Sequence, residues 1–342
     1  MGDVSRRRYG QATAGPLCLF CTKRDFSLDL LDIFSEHSWL TKSTPQDTLY
    51  YKTVYGLFVY WGFGVVQCNI RYTFTIRNMW YSNPEQFKET MGHDRDGRWF
   101  PRVTKILDVK SKPALDMFFK EMGSYESAEE VKNKSAEEGT LIHEVVQKVA
   151  IGEKVEIPET IKASVHSFQE FAEERKIHFH PEYIESAVIS ERNRFTGTVD
   201  ALATIGGKFG VLDIKTSTGF FREYNLQTAA YVLALQEEEM KQKLNLPKDI
   251  ETRWILRINQ QKACTICRAT LREKGGRKKI RSGRKPENIC ADTEHEWGDM
   301  AGDIELKEFP YFFYDIKAFL AAKALWEWEH SYWLRQVGYL GK

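Results

Sequence analysis

Asp200, Asp213 and Lys215 are the side chains whose types and spacing are best suited to chemistry in this chain. Residues 196–205 are rich in β-branched side chains, Gly206 and Gly207 make a two-residue turn, and residues 208–215 return as a second strand. In such a hairpin Ile205 faces Lys208, and counting outward along both strands sets Asp200 opposite Asp213. Directly opposed side chains have Cβ atoms roughly 5 Å apart, so two carboxylates there repel unless a cation lies between them. A divalent metal ion is the natural occupant. Strand period two returns Lys215 to the face of Asp213. Two oxygen ligands for a hard cation, beside an ammonium for developing negative charge, suit phosphodiester hydrolysis. The neighbours Val199, Ala201, Leu212 and Ile214 are apolar, which places the pair in a buried sheet where unpaired carboxylates would be costly.

An Asp followed across a hairpin by Asp-x-Lys resembles the core motif of the PD-(D/E)XK nuclease superfamily. Flanking residues narrow the resemblance to its RecB-like exonuclease branch: Gly139-x-x-x-His143 upstream, Gln227-x-x-x-Tyr231 downstream, Gly197 ahead of Asp200 and Thr216 after Lys215. Asp-x-Lys alone is a weak signal, but four motifs in order at compatible distances are specific. The resemblance covers roughly residues 97–334 and takes in residues 100–107 as an opening segment, with Arg102 where relatives more often carry a small residue. It implies an α/β, restriction-endonuclease-like core and hydrolysis of DNA with Mg²⁺ or Mn²⁺, as an exonuclease of repair, recombination or phage and mobile-element DNA processing. On this resemblance His143 and the backbone carbonyl of Ile214 join Asp200 and Asp213 as metal ligands. Lys215 orients the attacking water and stabilises transition-state charge, while Gln227 and Tyr231 hydrogen-bond the strand being cut. Glu191 holds a position often acidic in relatives. DNA, single- or double-stranded, is the implied partner, with a helicase or recombination protein beside it.

Several elements must position these groups. Residues 110–125 and 127–149 read as helices, the second with Ala136, Leu141, Val145 and Val149 along one face. His143 falls beside that stripe, and Gly139, one turn earlier, leaves room for close approach of a strand or a phosphate. A helix over 159–175 precedes a strand over 183–190. That strand, the hairpin and residues 252–258 supply a mixed central sheet, flanked by the 127–149 helix on one side and a 225–239 helix on the other. Residues 315–333 form an amphipathic C-terminal helix that packs back on the core, and the class is α/β.

The chain has 342 residues, and its 49 basic and 48 acidic side chains nearly cancel, so nucleic-acid affinity must come from a local patch. Six cysteines do not form a secreted disulfide framework at this length, and no cleavable signal sequence opens the chain. A reducing, cytoplasmic setting is expected. Residues 1–90 show no sustained helical period and are expected either to be disordered or to lie outside a native chain that starts at Met79 or Met91. The uncharged run 53–70 contains glycines, Gln67 and Asn69, which favour buried or edge strands over a membrane span. Residues 91–260 read as the nuclease core, 261–300 as a basic Cys/His insertion and 301–342 as a helical segment.

Within the insertion, Cys264, Cys267, Cys290 and His295 can complete a tetrahedral zinc site, a staple for a loop-rich segment without an apolar core. An iron-sulfur cluster recruiting Cys18 or Cys21, and free thiols, are the alternatives. The basic residues between Arg268 and Lys285 are either a solvated loop or a phosphate-tracking surface. A rival to catalysis is a nucleic-acid-binding module that keeps the fold while its Cys/His insertion carries the function. Intact Asp200, Asp213, Lys215 and His143 favour the enzyme.

Overall fold

The computed structural model describes residues 57–60, 65–68, 81–282, 290–291 and 294–341. The chain divides into two units, Met1–Asn78 and Met79–Lys342. In the first, β1 (Leu57–Tyr60) and β2 (Val65–Cys68) pair antiparallel from Leu57 with Cys68 to Tyr60 with Val65. The strand reading of the 53–70 run therefore holds at those positions, whereas Cys18 and Cys21 lie outside the described residues. No helix among the described residues is long and apolar enough to cross a membrane.

The second unit opens with α1 (Pro84–Met91), capped by the Asn83 side chain on the Gln86 amide with Pro84 at the first turn. Phe87 and Met91 of this helix are buried in the main core, so residues 81–90 differ in kind from the leading segment with which composition grouped them. A hairpin of β3 (Gly92–Arg95) and β4 (Arg98–Pro101) follows, then α2 (Val103–Ile106) and α3 (Pro113–Glu121). The long helix α4 (Tyr125–Ala150) starts at a Ser124 cap, and α5 (Lys162–Glu174) follows a loop and a short 3-10 turn. Helix α3 is shorter than the 110–125 reading because Pro113 can begin a helix but not sit inside one.

Next come β5 (His178–Phe179), β6 (Ser186–Ser190), β7 (Phe195–Val199), β8 (Ala201–Ile205) and β9 (Lys208–Lys215). The β8–β9 hairpin has the expected register, from Ile205 with Lys208 to Ala201 with Leu212. The single strand read over 196–205 is instead two strands broken at Asp200. β7 pairs with β6 in a separate ribbon, while β8 joins the central sheet. The strand read over 183–190 accordingly leaves the central sheet, and the short β5 takes the edge beside β8. A bend at Asp200 lets one carboxylate sit where two sheets part.

Helix α6 (Arg222–Leu235) carries the chain over the sheet, so β9 and β10 (Thr252–Cys264) are parallel. The 225–239 helix reading ends early: Glu237 is extended, and α7 (Glu238–Leu244) begins after it. The buried Glu237 carboxylate accepts hydrogen bonds from the Ser190 hydroxyl and the amides of Glu191 and Arg192, tying the β6–β7 turn to α6. Strand β10 outlasts β9, and the edge it leaves free is taken by β11 (Thr270–Lys274), which pairs with β12 (Arg277–Arg281). On its other edge β10 pairs antiparallel with β13 (Trp297–Glu308). The described strands of the 261–300 stretch, up to Arg281 and from Trp297, are thus woven into the sheet, and β13 runs through residue 300 into the segment read as helical.

The chain closes with α8 (Phe313–Glu329) and α9 (Ser331–Gln336), broken at His330 within the single helix read over 315–333. One core, with Phe195, Phe319, Trp326 and Tyr231, lies between the sheet and α1, α6, α8 and α9. The other, with Ile142, Val146, Phe168, Leu212 and Trp254, lies under α4 and α5. The result is a mixed sheet flanked by helices, a restriction-endonuclease-like α/β fold.

Candidate active site

Along β9, Leu212 and Ile214 are buried under α4 and α5, while Val211 belongs to the α6 side. Period two therefore turns Asp213 and Lys215 toward α6. Asp213 is fully buried, and Lys215 Nζ stands 2.9 and 2.8 Å from its two oxygens. Gln227 Nε2, on α6, donates to Asp213 Oδ1 at 3.3 Å and to the Tyr231 hydroxyl at 2.8 Å. One turn of helix separates Gln227 from Tyr231, which puts both on the face over β9. A Cβ at Gly197 would come within 2.4 Å of the Tyr231 ring, so glycine there is what admits the ring.

Asp200 Oδ2 accepts the Ile214 amide at 2.7 Å, so the two carboxylates are linked through β9 itself. His143 Nδ1 stands 3.8 Å from the same oxygen. Its helix comes close because Gly139 lacks a side chain: a Cβ there would lie 2.8 Å from Thr216 Oγ1. Burial pushes both Asp200 and Asp213 up to about 6, against the opposing pull of Lys215. Burial works against the Lys215 ammonium too, but Asp213 and Asp200 outweigh it and hold its pKa above the ordinary value. Burial, with Lys215 nearby, brings His143 down to about 4, which leaves the imidazole neutral and free to bind a metal.

The structure thus brings together Asp200, Asp213, Lys215, His143, Gln227 and Tyr231, with Ile214 between the carboxylate and the lysine. Tyr231 is only 2% exposed, so its hydroxyl lies behind Gln227 rather than facing solvent. Glu191 is not part of the set: it pairs with Arg98 at 2.7 Å. The acidic residue whose charge acts on Asp200 and His143 is instead Glu185, which bonds the Asp200 carbonyl through its amide at 3.2 Å, one step beyond the Ser186–Val199 pair, and whose carboxylate accepts from Gln147 Nε2. Extending the β6–β7 register would have found it. Sequence reasoning also passed over Tyr224, three residues before Gln227 on the same helical face, with Lys215 Nζ 5.2 Å from its ring centroid. Lys274 and Arg272 of β11 donate to the Thr216 carbonyl at 2.7 and 3.0 Å, immediately after Lys215. Nothing local in the sequence signals that contact.

The donor set suits a hard divalent ion. Asp213 Oδ2 is buried against the Lys215 ammonium at 2.8 Å, and carboxylate oxygens with a neutral imidazole are ordinary ligands for Mg²⁺ or Mn²⁺.

A second donor group lies at the far end of β10. Cys264, Cys267, Cys290 and His295 offer ligand atoms all within 4.8 Å of one another, with Cys267 Sγ 3.3 Å from His295 Nδ1. Burial opposes ionisation of Cys264, but the amides of Cys267 and Ile266 and the His295 ring outweigh it and draw the thiol down to about 6. Three thiols and an imidazole could hold a structural metal such as zinc.

A mixed sheet whose buried Asp-x-Lys strand faces a second Asp and a Gln-bearing helix defines a nuclease core. A sequence model of the PD-(D/E)XK nuclease superfamily matches residues 126–304, just over half of the chain, and the chain belongs to that superfamily. The matched span contains every residue of the acidic site and of the Cys/His group. No curated protein matches the chain.

Proposed function

We propose that this protein is a metal-dependent deoxyribonuclease of the RecB-like exonuclease type, acting in DNA repair, recombination or mobile-element processing. The observation that carries the reading is Asp213, fully buried yet flanked by Asp200, Lys215 and Gln227. Asp200, Asp213, His143 and the Ile214 carbonyl would hold Mg²⁺ or Mn²⁺. Such an ion supplies positive charge to polarise the scissile phosphate and lowers the pKa of a bound water. Lys215 keeps its proton and offers a compact cation to the charge that grows on the phosphate oxygens. Gln227 orients Asp213 and meets the strand being cut, and Tyr231 holds Gln227 from behind. The Cys264 group holds a structural Zn²⁺ that ties the turn after β10 to the start of β13.

Incubation of end-labelled and circular DNA with Mn²⁺ tests this directly. Cleavage is expected to stop in excess EDTA and to fall about a thousandfold in Asp213→Ala or Lys215→Ala, each still folded by circular dichroism. Robust cleavage in EDTA, or unchanged rates in both variants, would remove the assignment. A binding-only module would show no cleavage with any metal.

A further inference from the structure

Helix α3 contributes no buried residue to either core, although Leu115, Met117 and Phe118 give it an apolar side. Met117 is 61% exposed. These residues form one wall of a cleft of about 500 Å³. Phe221, just ahead of α6, and Tyr224 of α6 add aromatic surface, their rings 5.6 Å apart edge to face. The β11–β12 hairpin supplies Arg272, Lys274, Arg277 and Lys279, which outnumber the two carboxylates of the lining, Glu223 and the Glu121 that pairs with Arg277 at 2.7 Å and stands 4.0 Å from Lys279. The cleft adjoins the acidic site, because Tyr224 also stands beside Lys215 and Lys274 also bonds the Thr216 carbonyl.

Apolar and aromatic faces set against basic side chains are complementary to unpaired nucleotides, whose bases present flat faces and whose phosphates carry charge. A duplex hides its base faces in its own stack. The volume also falls within the roughly 300–1,000 Å³ of small-ligand pockets, room for one or two nucleotides and not for a double helix. An apolar peptide would have no use for the basic wall.

We propose that this cleft binds unpaired nucleotides of the DNA strand delivered to Lys215, with bases against Met117, Phe118 and Tyr224 and phosphates on Lys274 and Lys279. The proposal rests on the nuclease reading only in that the cleft feeds the same site. It makes a single-stranded or frayed end the preferred substrate over a blunt duplex.

Fluorescence anisotropy of the full chain in EDTA, with a labelled oligodeoxythymidine and with a labelled blunt hairpin duplex, tests it. The oligomer is expected to bind at least about tenfold more tightly than the duplex, and Phe118→Ala to lose about tenfold for the oligomer alone. Lys279→Ala should lower the slope of log affinity against log salt by about 0.7 for the oligomer. Should Phe118→Ala lower the melting temperature, Met117→Glu on the exposed side of α3 provides the same test and should give the same loss. Equal oligomer binding by wild type and a folded Phe118→Ala or Met117→Glu, or a preference for the duplex, would overturn the proposal. Mn²⁺-dependent cleavage with unchanged oligomer binding would remove the cleft and leave the nuclease. Selective oligomer loss without any cleavage would retain the cleft and remove the nuclease.

Discussion

His143 depends most on its protonation state among the site residues. Burial beside Lys215 keeps its ring neutral at neutral pH, so it can serve as a metal ligand without first losing a proton. Replacing it with alanine leaves Asp200 and Asp213 in place but weakens the donor set. The Mn²⁺ concentration for half-maximal cleavage in His143→Ala is expected to rise at least about tenfold, with much of the rate recovered at saturating metal. Titration of activity against Mn²⁺ measures this, and an inert variant with unchanged metal affinity would contradict it. Gly139 and Gly197 serve the same site by what they omit, one admitting the loop after β9 and the other the Tyr231 ring.

Strand β11 links the two chemical centres. At its start, Cys264 and Ala269 close the turn from β10 with a 2.8 Å backbone hydrogen bond, and at its end Lys274 reaches the residue after Lys215. Glu138 of α4 accepts the Gly275 amide at 2.9 Å, seating the hairpin against the helix that carries His143. Cys264→Ser is therefore expected to lower bound zinc, by elemental analysis, and to weaken DNA binding more than it slows the cleavage step. Iron with acid-labile sulfide would point instead to a cluster. Lys274 gives a pH signature. Burial, with Arg272 beside it, lowers the pKa to about 8 against a smaller opposing effect of Glu138. Below that value the ammonium is present for a phosphate. Above it, binding must take up a proton, so affinity falls as pH rises. DNA affinity of Asp213→Ala should decline from pH 7 to pH 9, and Lys274→Arg on that background should flatten the decline, as read by anisotropy.

At the scale of the molecule, the sheet is sandwiched, and the C-terminal helices close one side. Arg253 on β10 is fully buried and pairs with Asp315 at the start of α8, while its guanidinium also donates to the carbonyls of Asn225, Phe309 and Tyr311. Phe319 and Trp326 fill the core beneath α8. A chain ending at Glu308 would lose these two side chains, roughly 1.5–3 kcal/mol each. It would also take Asp315 and the Phe309 and Tyr311 carbonyls away from the Arg253 guanidinium. Those losses reach the low end of the roughly 5–15 kcal/mol of a whole domain. Such a truncation is expected to lose cooperative thermal unfolding by circular dichroism, and a sharp transition near that of the full chain would refute it.

What could be read from sequence was local or periodic. The β8–β9 register followed from a two-glycine turn and the strand period as far as Ala201 with Leu212, one step short of the expected Asp200–Asp213 opposition, where the strand bends instead. The helical spacing of Gln227 and Tyr231 put them on one face for the same reason. Tertiary structure decided what depends on partners distant in the chain. The bend at Asp200 arises where β7 pairs with β6 and β8 with β9. The choice of Glu185 over Glu191 depends on which residue faces that bend. The delivery of Lys274 depends on the β10 edge beyond the end of β9. Turn chemistry and period act between neighbours and are written in neighbouring residues. Strand partnership is settled by burial and hydrogen bonding across the whole sheet, which no short stretch encodes alone.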